Sequence, residues 1–210
     1  MAVLPEHFFD HLVAESCQII GLEDASKILK DTDPVVKLCA RAAYIQSKKF
    51  CKRPFHYGER QDYYAAYHGP LELRCIPIAV NLADPNRSLL LSVVVDGVAV
   101  ASEDVAILPD GRLCLYTQED DTAAPLYENI VVTATTGYET VEENDTLYTG
   151  LLLQTLANYH RKDSLGLKEV TGQHGIARFP ADSGEMIESA KQVLEGLVYH
   201  GQGCAVGLGD

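Results

Sequence analysis

VVTATTGYETVEENDTLYTGLLLQTLANYHRKD, residues 131–163, joins a strand-like run to a helix-like run, and the rest of the chain is organised around that junction. Val131, Thr133 and Thr135 alternate with Val132, Ala134 and Thr136, the two-residue period of a pleated strand, and Gly137 has the backbone freedom to leave it. Glu139 to Asp145 is an acidic turn whose carboxylates favour a helix N-terminus. No proline interrupts residues 147 to 160, where Leu147, Tyr148, Leu151, Leu152, Leu153, Leu156, Ala157 and Tyr159 predict a long helix. At about 100° per residue, Tyr148, Leu152, Leu156 and Tyr159 share one side, Leu147 and Leu151 flank it, and Leu153 with Ala157 lies opposite. A helix apolar around more than half its circumference needs cover on two sides, and another subunit is a ready second cover. Arg161 and Lys162 close the helix with charge matched to its C-terminal dipole.

Towards the N-terminus, Pro5 to Ser16 carries Phe8, Phe9, Leu12 and Val13 at helical spacing, Gly21 is an interruption, and Leu22 to Lys30 reads as a second short helix. DTDPVVKLCARAAYIQSKKFCKRP has the sharpest boundaries: Asp33 as N-cap, Pro34 at the first helical position and Pro54 as the stop. Its apolar stripe is Val36, Cys39, Ala40, Ala43 and Phe50. The basic cluster Lys48 to Arg53 has two readings, a nucleic-acid patch or a dipole-compatible helix end facing acidic neighbours. Phe55 to His68 is aromatic and polar, which suits either an interface rich in tyrosine or the edge of a packed strand.

From Leu71 onward the pattern turns to β. Asp96-Gly97 and Asp110-Gly111 each sit between apolar runs as hairpin turns, and with Asn129 to Thr136 they predict four to six antiparallel strands in a compact sheet or small sandwich. Glu119 to Pro125 reads as an acidic loop. After the organising helix, Ser164 to Ala181 reads as irregular. Asp182 and Glu185 have N-cap and N3 spacing for a final helix to about His200, with Met186, Ile187, Ala190, Val193, Leu194, Leu197 and Val198 as its apolar stripe. Gly201 to Asp210 cannot fold alone. The expected fold class is α+β, a helical bundle of about four to five helices with an inserted antiparallel β hairpin or small sheet region. The expected division is 1–69, N-terminal helices and an aromatic linker; 70–137, a β-rich insertion; 138–200, C-terminal helices packing with the N-terminal ones; and 201–210, a flexible or partner-bound tail.

The 210 residues carry 17 Lys and Arg against 30 Asp and Glu, a net charge of −13, so the chain as a whole repels nucleic-acid phosphates. No N-terminal signal pattern and no run of roughly 20 apolar residues is present, so a soluble protein made in a cytoplasm is expected. The six cysteines, Cys17, Cys39, Cys51, Cys75, Cys114 and Cys204, show no CxxC pairing and read as small, reduced core residues. Of seven histidines only His7 and His11 stand at i, i+4 on one helix, and no third metal ligand is nearby. There is no GxSxG elbow, no thiol-enzyme signature and no phosphate loop. No catalytic, cofactor-binding or metal residue is assigned, and the expectation is a protein that is not an enzyme and needs no cofactor.

The order LEDASKIL, DPVVKLCARAAYIQSKKFCKR, SVVVDGVAV, LPDGRLCLYT, then Thr136-Gly137-Tyr138 with its acidic linker and the helix Leu151 to Arg161, then GLKEVTGQHGIARFP, resembles the head-to-tail adaptor (head-tail connector) proteins of tailed bacteriophages over roughly residues 19–200. The resemblance implies a virion structural protein assembled in the host cytoplasm. It would form a homo-oligomeric ring, usually of twelve subunits, docked under the portal protein. Such a ring extends the channel through which double-stranded DNA passes without specific binding, offers a platform to a downstream tail, stopper or nozzle protein, and involves no membrane. It places portal contacts on the segment 168–179, at Lys168, Val170, His174, Ile176, Arg178 and Phe179, and on the tail at Cys204, Val206 and Leu208. Subunit contacts fall on helices 34–53 and 147–162, at Arg41, Lys48, Tyr148, Leu153, Ala157 and Arg161. Val141 to Glu143 stand where the family has a proline after the TGY turn, and the N-terminal helix and glycine-rich tail are additions. The competing readings are a tail-associated cell-wall hydrolase or other virion accessory protein, and a small-molecule binding module whose sign would be a pocket of converging polar groups.

Overall fold

The Asp33 carboxylate accepts hydrogen bonds from the amides of Val35 at 2.9 Å and Val36 at 3.1 Å, and Pro34 opens the helix behind it, as the sequence requires. This helix, α2 (Pro34–Cys51), ends at Lys52, whose backbone is left-handed at φ 56°. The computed structural model describes residues 6–23, 29–67, 69–74, 89–108, 112–116, 127–161 and 185–200. They divide into a helical unit, Leu4–Lys52 with Glu139–Val198, and a β unit built on Arg53–Tyr138 with Tyr199 and His200. The fold is α+β, with four helices and antiparallel sheets of four and three strands among the described residues.

In the helical unit a 3-10 turn (Glu6–Phe9) leads into α1 (Asp10–Glu23). Gly21 does not interrupt it. One glycine costs a helix only about 1 kcal/mol, which the buried flank of Leu12, Val13, Cys17 and Ile20 outweighs. The expected second helix, Leu22 to Lys30, therefore begins inside α1, and its residues 24–28 lie outside the described residues. Phe8, Phe9 and Tyr44 pack edge to face, with centroids 4.9 to 5.7 Å apart. The junction helix is α3 (Asp145–His160), capped by Asn144, whose side-chain oxygen accepts from the Leu147 amide at 2.8 Å. The last helix, α4 (Glu188–Leu194) with a 3-10 turn at Glu195–Leu197, is shorter than the sequence suggests. Residues 185–187 precede it outside any regular element, because the Ile187 amide is taken by the Gln154 side chain at 2.9 Å.

The β unit has a four-stranded sheet in the order β1 (Gly58–Tyr67), β7 (Tyr127–Thr136), β3 (Leu89–Val95), β4 (Val98–Ala99). The second sheet is β2 (Leu71–Glu72), β6 (Arg112–Leu115), β5 (Val105–Ile107). The strands form two sheets, where a compact sheet or a small sandwich was expected, and of the two readings of the aromatic stretch 55–68 the strand edge holds, since it is largely β1, an edge strand. β1 pairs with β7 along its length, from Gly58 opposite Thr136 to Tyr67 opposite Tyr127. Asp96 (φ 49°) and Gly97 (φ 82°) make the β3–β4 turn with both central residues left-handed, as a tight hairpin demands. β5 and β6 pair on either side of Asp110-Gly111, a turn that lies outside the described residues. Ile130, Val132, Ala134, Val93, Leu113 and Tyr64 form the core of this unit.

Gly137 ends β7 at φ 100°. A Cβ there would stand 2.4 Å from the His56 carbonyl oxygen. The chain beside it is stitched to that segment by Tyr138 N–H donating to Phe55 O at 2.8 Å and Tyr57 N–H to Tyr138 O at 2.7 Å. Arg53 lies 2.5 Å from Glu72 and over the Tyr199 ring at 5.3 Å. Burial, with Glu72 and Asp62 close by, pushes the Tyr199 hydroxyl above its ordinary pKa.

Candidate functional site

Of the expected subunit-contact residues, Arg41 on α2 and Arg161 at the end of α3 are exposed, whereas Lys48, Tyr148, Leu153 and Ala157 are half-buried, and α3 is turned differently from the expectation. Its inner side holds Leu147, Gly150 and Leu151 together with Gln154, Thr155 and Asn158. Gln154 and Asn158 are tied into the helices around them, whereas the Thr155 hydroxyl is buried with no hydrogen-bond partner among the described residues. Gln154 Nε2 donates to Asn158 Oδ1 at 3.0 Å, and Asn158 Nδ2 donates to Cys39 O at 3.3 Å and Gln46 Oε1 at 3.1 Å. Gly150 lets α4 close in, since a Cβ there would meet Leu194 Cγ at 2.5 Å. Leu152, placed by periodicity at the centre of one apolar side, is half-buried, as are Leu153, Leu156 and Ala157. Amides and a hydroxyl thus share the interior with Leu147 and Leu151, while Leu152, Leu153 and Leu156 stand at its margin. Nothing in the apolar periodicity announces this, because leucines all round a helix leave no preferred side.

Tyr148 faces α1. Its hydroxyl donates to Glu15 in a short hydrogen bond, and its oxygen accepts from His11 Nδ1, 3.0 Å away. Glu142 Oε1 lies 3.8 Å from the same imidazole nitrogen. Burial first, then the Glu15 carboxylate, raises the Tyr148 hydroxyl far above its ordinary range. The residue thereby ties α3 to α1 within the chain, in addition to the edge it presents outward. His7 bonds Asp10 at 2.9 Å instead of joining His11, and among the described residues no group of three potential metal ligands comes together.

α2 contains no Asp or Glu, whereas Lys37, Arg41, Lys48 and Lys49 lie along it and Lys52 caps it. Arg41 and Lys49 are exposed and Lys48 is half-buried. Between them Ile45 is 57% exposed; periodicity gave no warning of it, although its place four residues from both Arg41 and Lys49 was readable. Leu153 and Ala157 neighbour each other at i, i+4 on α3, and Arg161 is exposed at its C-terminal cap. Lys168, Val170, His174, Ile176, Arg178, Phe179, Cys204, Val206 and Leu208 lie outside the described residues. No described helix is long and apolar enough to cross a membrane.

A cleft of about 360 Å³ in the β unit is lined by Ala66, Gly69, Pro70, Leu71, Glu72, Arg112 and His200. Its carboxylate, Glu72, is engaged by Arg53. Cys17, Cys39 and Cys51 are buried thiols outside any disulfide, and burial raises the Cys17 thiol above its usual pKa, opposite to a reactive thiolate.

No protein-family model and no curated protein matches the chain. Among solved structures it is similar to a chain from the virion of a native gene transfer agent (GTA) particle, at 15% identity and a TM-score of 0.54, over 94% of this chain and 93% of that one. It also has a weaker likeness to a chain from the neck of the native GTA particle computed with C12 symmetry, at 12% identity and a TM-score of 0.47, over 94% and 92% of the two chains. A chain from the neck of the empty GTA particle computed with C6 symmetry gives 14% identity and a TM-score of 0.46 over 90% and 92%. The first of these similarities establishes a shared fold over nearly the full length of both chains.

Proposed function

We propose that this chain is a structural, non-enzymatic protein of a phage-like particle, a head-to-tail adaptor that assembles as a ring, of about twelve copies by its resemblance to that family, beneath the portal. The ring carries the DNA channel onward and presents an attachment platform to the next tail component. The observation that carries this reading is the end-to-end fold likeness to a GTA virion chain, which covers both the helical and the β unit. The margin of α3, with Leu152, Leu153 and Leu156 half-buried, supports a copy-to-copy contact through Arg41 and Lys48 of α2, Leu153, Ala157 and Arg161 of α3, and the outer edge of Tyr148. The net charge of −13 suits a tube through which DNA slides without adhering. Portal contact is assigned to the segment 168–179 and to Cys204, Val206 and Leu208.

Electron microscopy of the purified protein, alone and mixed with its portal, tests the proposal. Closed rings that stack coaxially on the portal are the expected result. A chain that stays monomeric in both preparations would overturn it.

A further inference from the structure

On a chain with nearly twice as many acidic as basic residues, one helix carries only cations. Arg41, Ile45 and Lys49 succeed one another at i, i+4 and i+8 along α2, all exposed. They span about 12 Å of one side at 1.5 Å per residue. Neither Arg41 nor Lys49 has an ion-pair partner among the described residues. Arg41 and Lys49 stand two turns apart on this strip, and Ile45 holds apolar surface in water between them. Acidic residues gather around α4 of the same unit: Glu188 at its start, Glu195 seven residues on in the following 3-10 turn, and Glu185 just before it are all exposed. Lys191 is the one cation on that helix, and it reaches Glu188 only at 3.8 Å.

We propose that the Arg41, Ile45, Lys49 face of α2 docks the Glu185, Glu188, Glu195 face around α4 of a second copy of this chain. The inference rests on the ring reading and deepens it by naming which surface meets which. Two α2 faces cannot pack on each other, because that would oppose cation to cation. The unlike faces complement one another in charge, and a contact between two different surfaces is heterologous, the kind that repeats around an axis to close a ring. Double-stranded DNA is the weaker occupant. Its phosphates have no use for Ile45 at the middle of the strip, and the net negative charge of the whole chain opposes its approach.

The test is native mass spectrometry of the full chain and of three variants: Arg41→Glu with Lys49→Glu; Glu185→Lys with Glu188→Lys and Glu195→Lys; and all five together. Circular dichroism confirms that each variant keeps its helices, which the exposure of all five positions leads one to expect. Each charge-reversed set should lose the multimer at concentrations where the wild type is assembled, and the five-fold variant should recover it. Assembly of either single-face variant at wild-type strength overturns the proposal and leaves the ring reading standing. Failure of the five-fold variant to recover also overturns it. So does a double variant that keeps its multimer but loses salt-dependent binding to a short DNA duplex, which would assign the face to phosphate. A wild-type chain that is monomeric with and without portal removes the ring reading and this contact together.

Discussion

Two glycines show how differently single residues can be constrained. Gly137 sits at φ 100°, with the His56 carbonyl where a Cβ would go. A side chain there meets rigid backbone as well as an unfavourable dihedral. Gly150 is helical, and its obstacle is the end of the Leu194 side chain, which can rotate away in part. Gly137→Ala should therefore cost about 3 kcal/mol or more, from strain and overlap combined. Gly150→Ala should cost about 1 to 2 kcal/mol, since alanine's better helix propensity offsets part of the overpacking. Urea denaturation of both variants checks the order, and a neutral Gly137→Ala would show that the turn tolerates a different path. The role of Gly137 was readable from the break in the strand pattern. That of Gly150 was not, because its constraint comes from Leu194, 44 residues further along.

At the level of elements, α2 and α3 were readable as helices and their faces were not equally so. α2 announces its inner face, since Val36, Cys39, Ala40 and Ala43 are buried and Arg41 and Lys49 are exposed. α3 has leucines on every side, so the packing of α1, α2 and α4 decides what is inside. The result reverses the simple rule, with Gln154 and Asn158 buried and Leu153 at the margin. Leu151→Ala, at a fully buried position, should lower monomer stability by about 2 to 5 kcal/mol. Leu153→Ala should cost well under half as much and should weaken assembly instead. Thermal unfolding beside sedimentation velocity separates the two effects, and equal losses of stability would remove α3's margin from the proposed contact. The short α4 has a related cause. A side-chain amide, Gln154, occupies the backbone donor of Ile187, and no helix signal in residues 182–185 reveals that competitor.

For the whole molecule, the glycine-rich end is the segment whose removal separates folding from function. All the described cores are built from residues before 201, so deletion of 201–210 should leave the melting temperature within a few degrees of wild type. The truncated protein should fail to join portal-filled heads. Normal head completion by it would take the portal contact away from Cys204, Val206 and Leu208. By itself the sequence determined the α+β class, the capped start of α2, the Asp96-Gly97 hairpin and the strand-turn-helix at Gly137, because each depends on neighbours within a few residues. The tertiary structure alone decided that β1 lies against β7, that the strands divide into two sheets, and that α3 turns its amides inward. Those outcomes depend on which distant surfaces exclude water together, and local periodicity does not encode that choice.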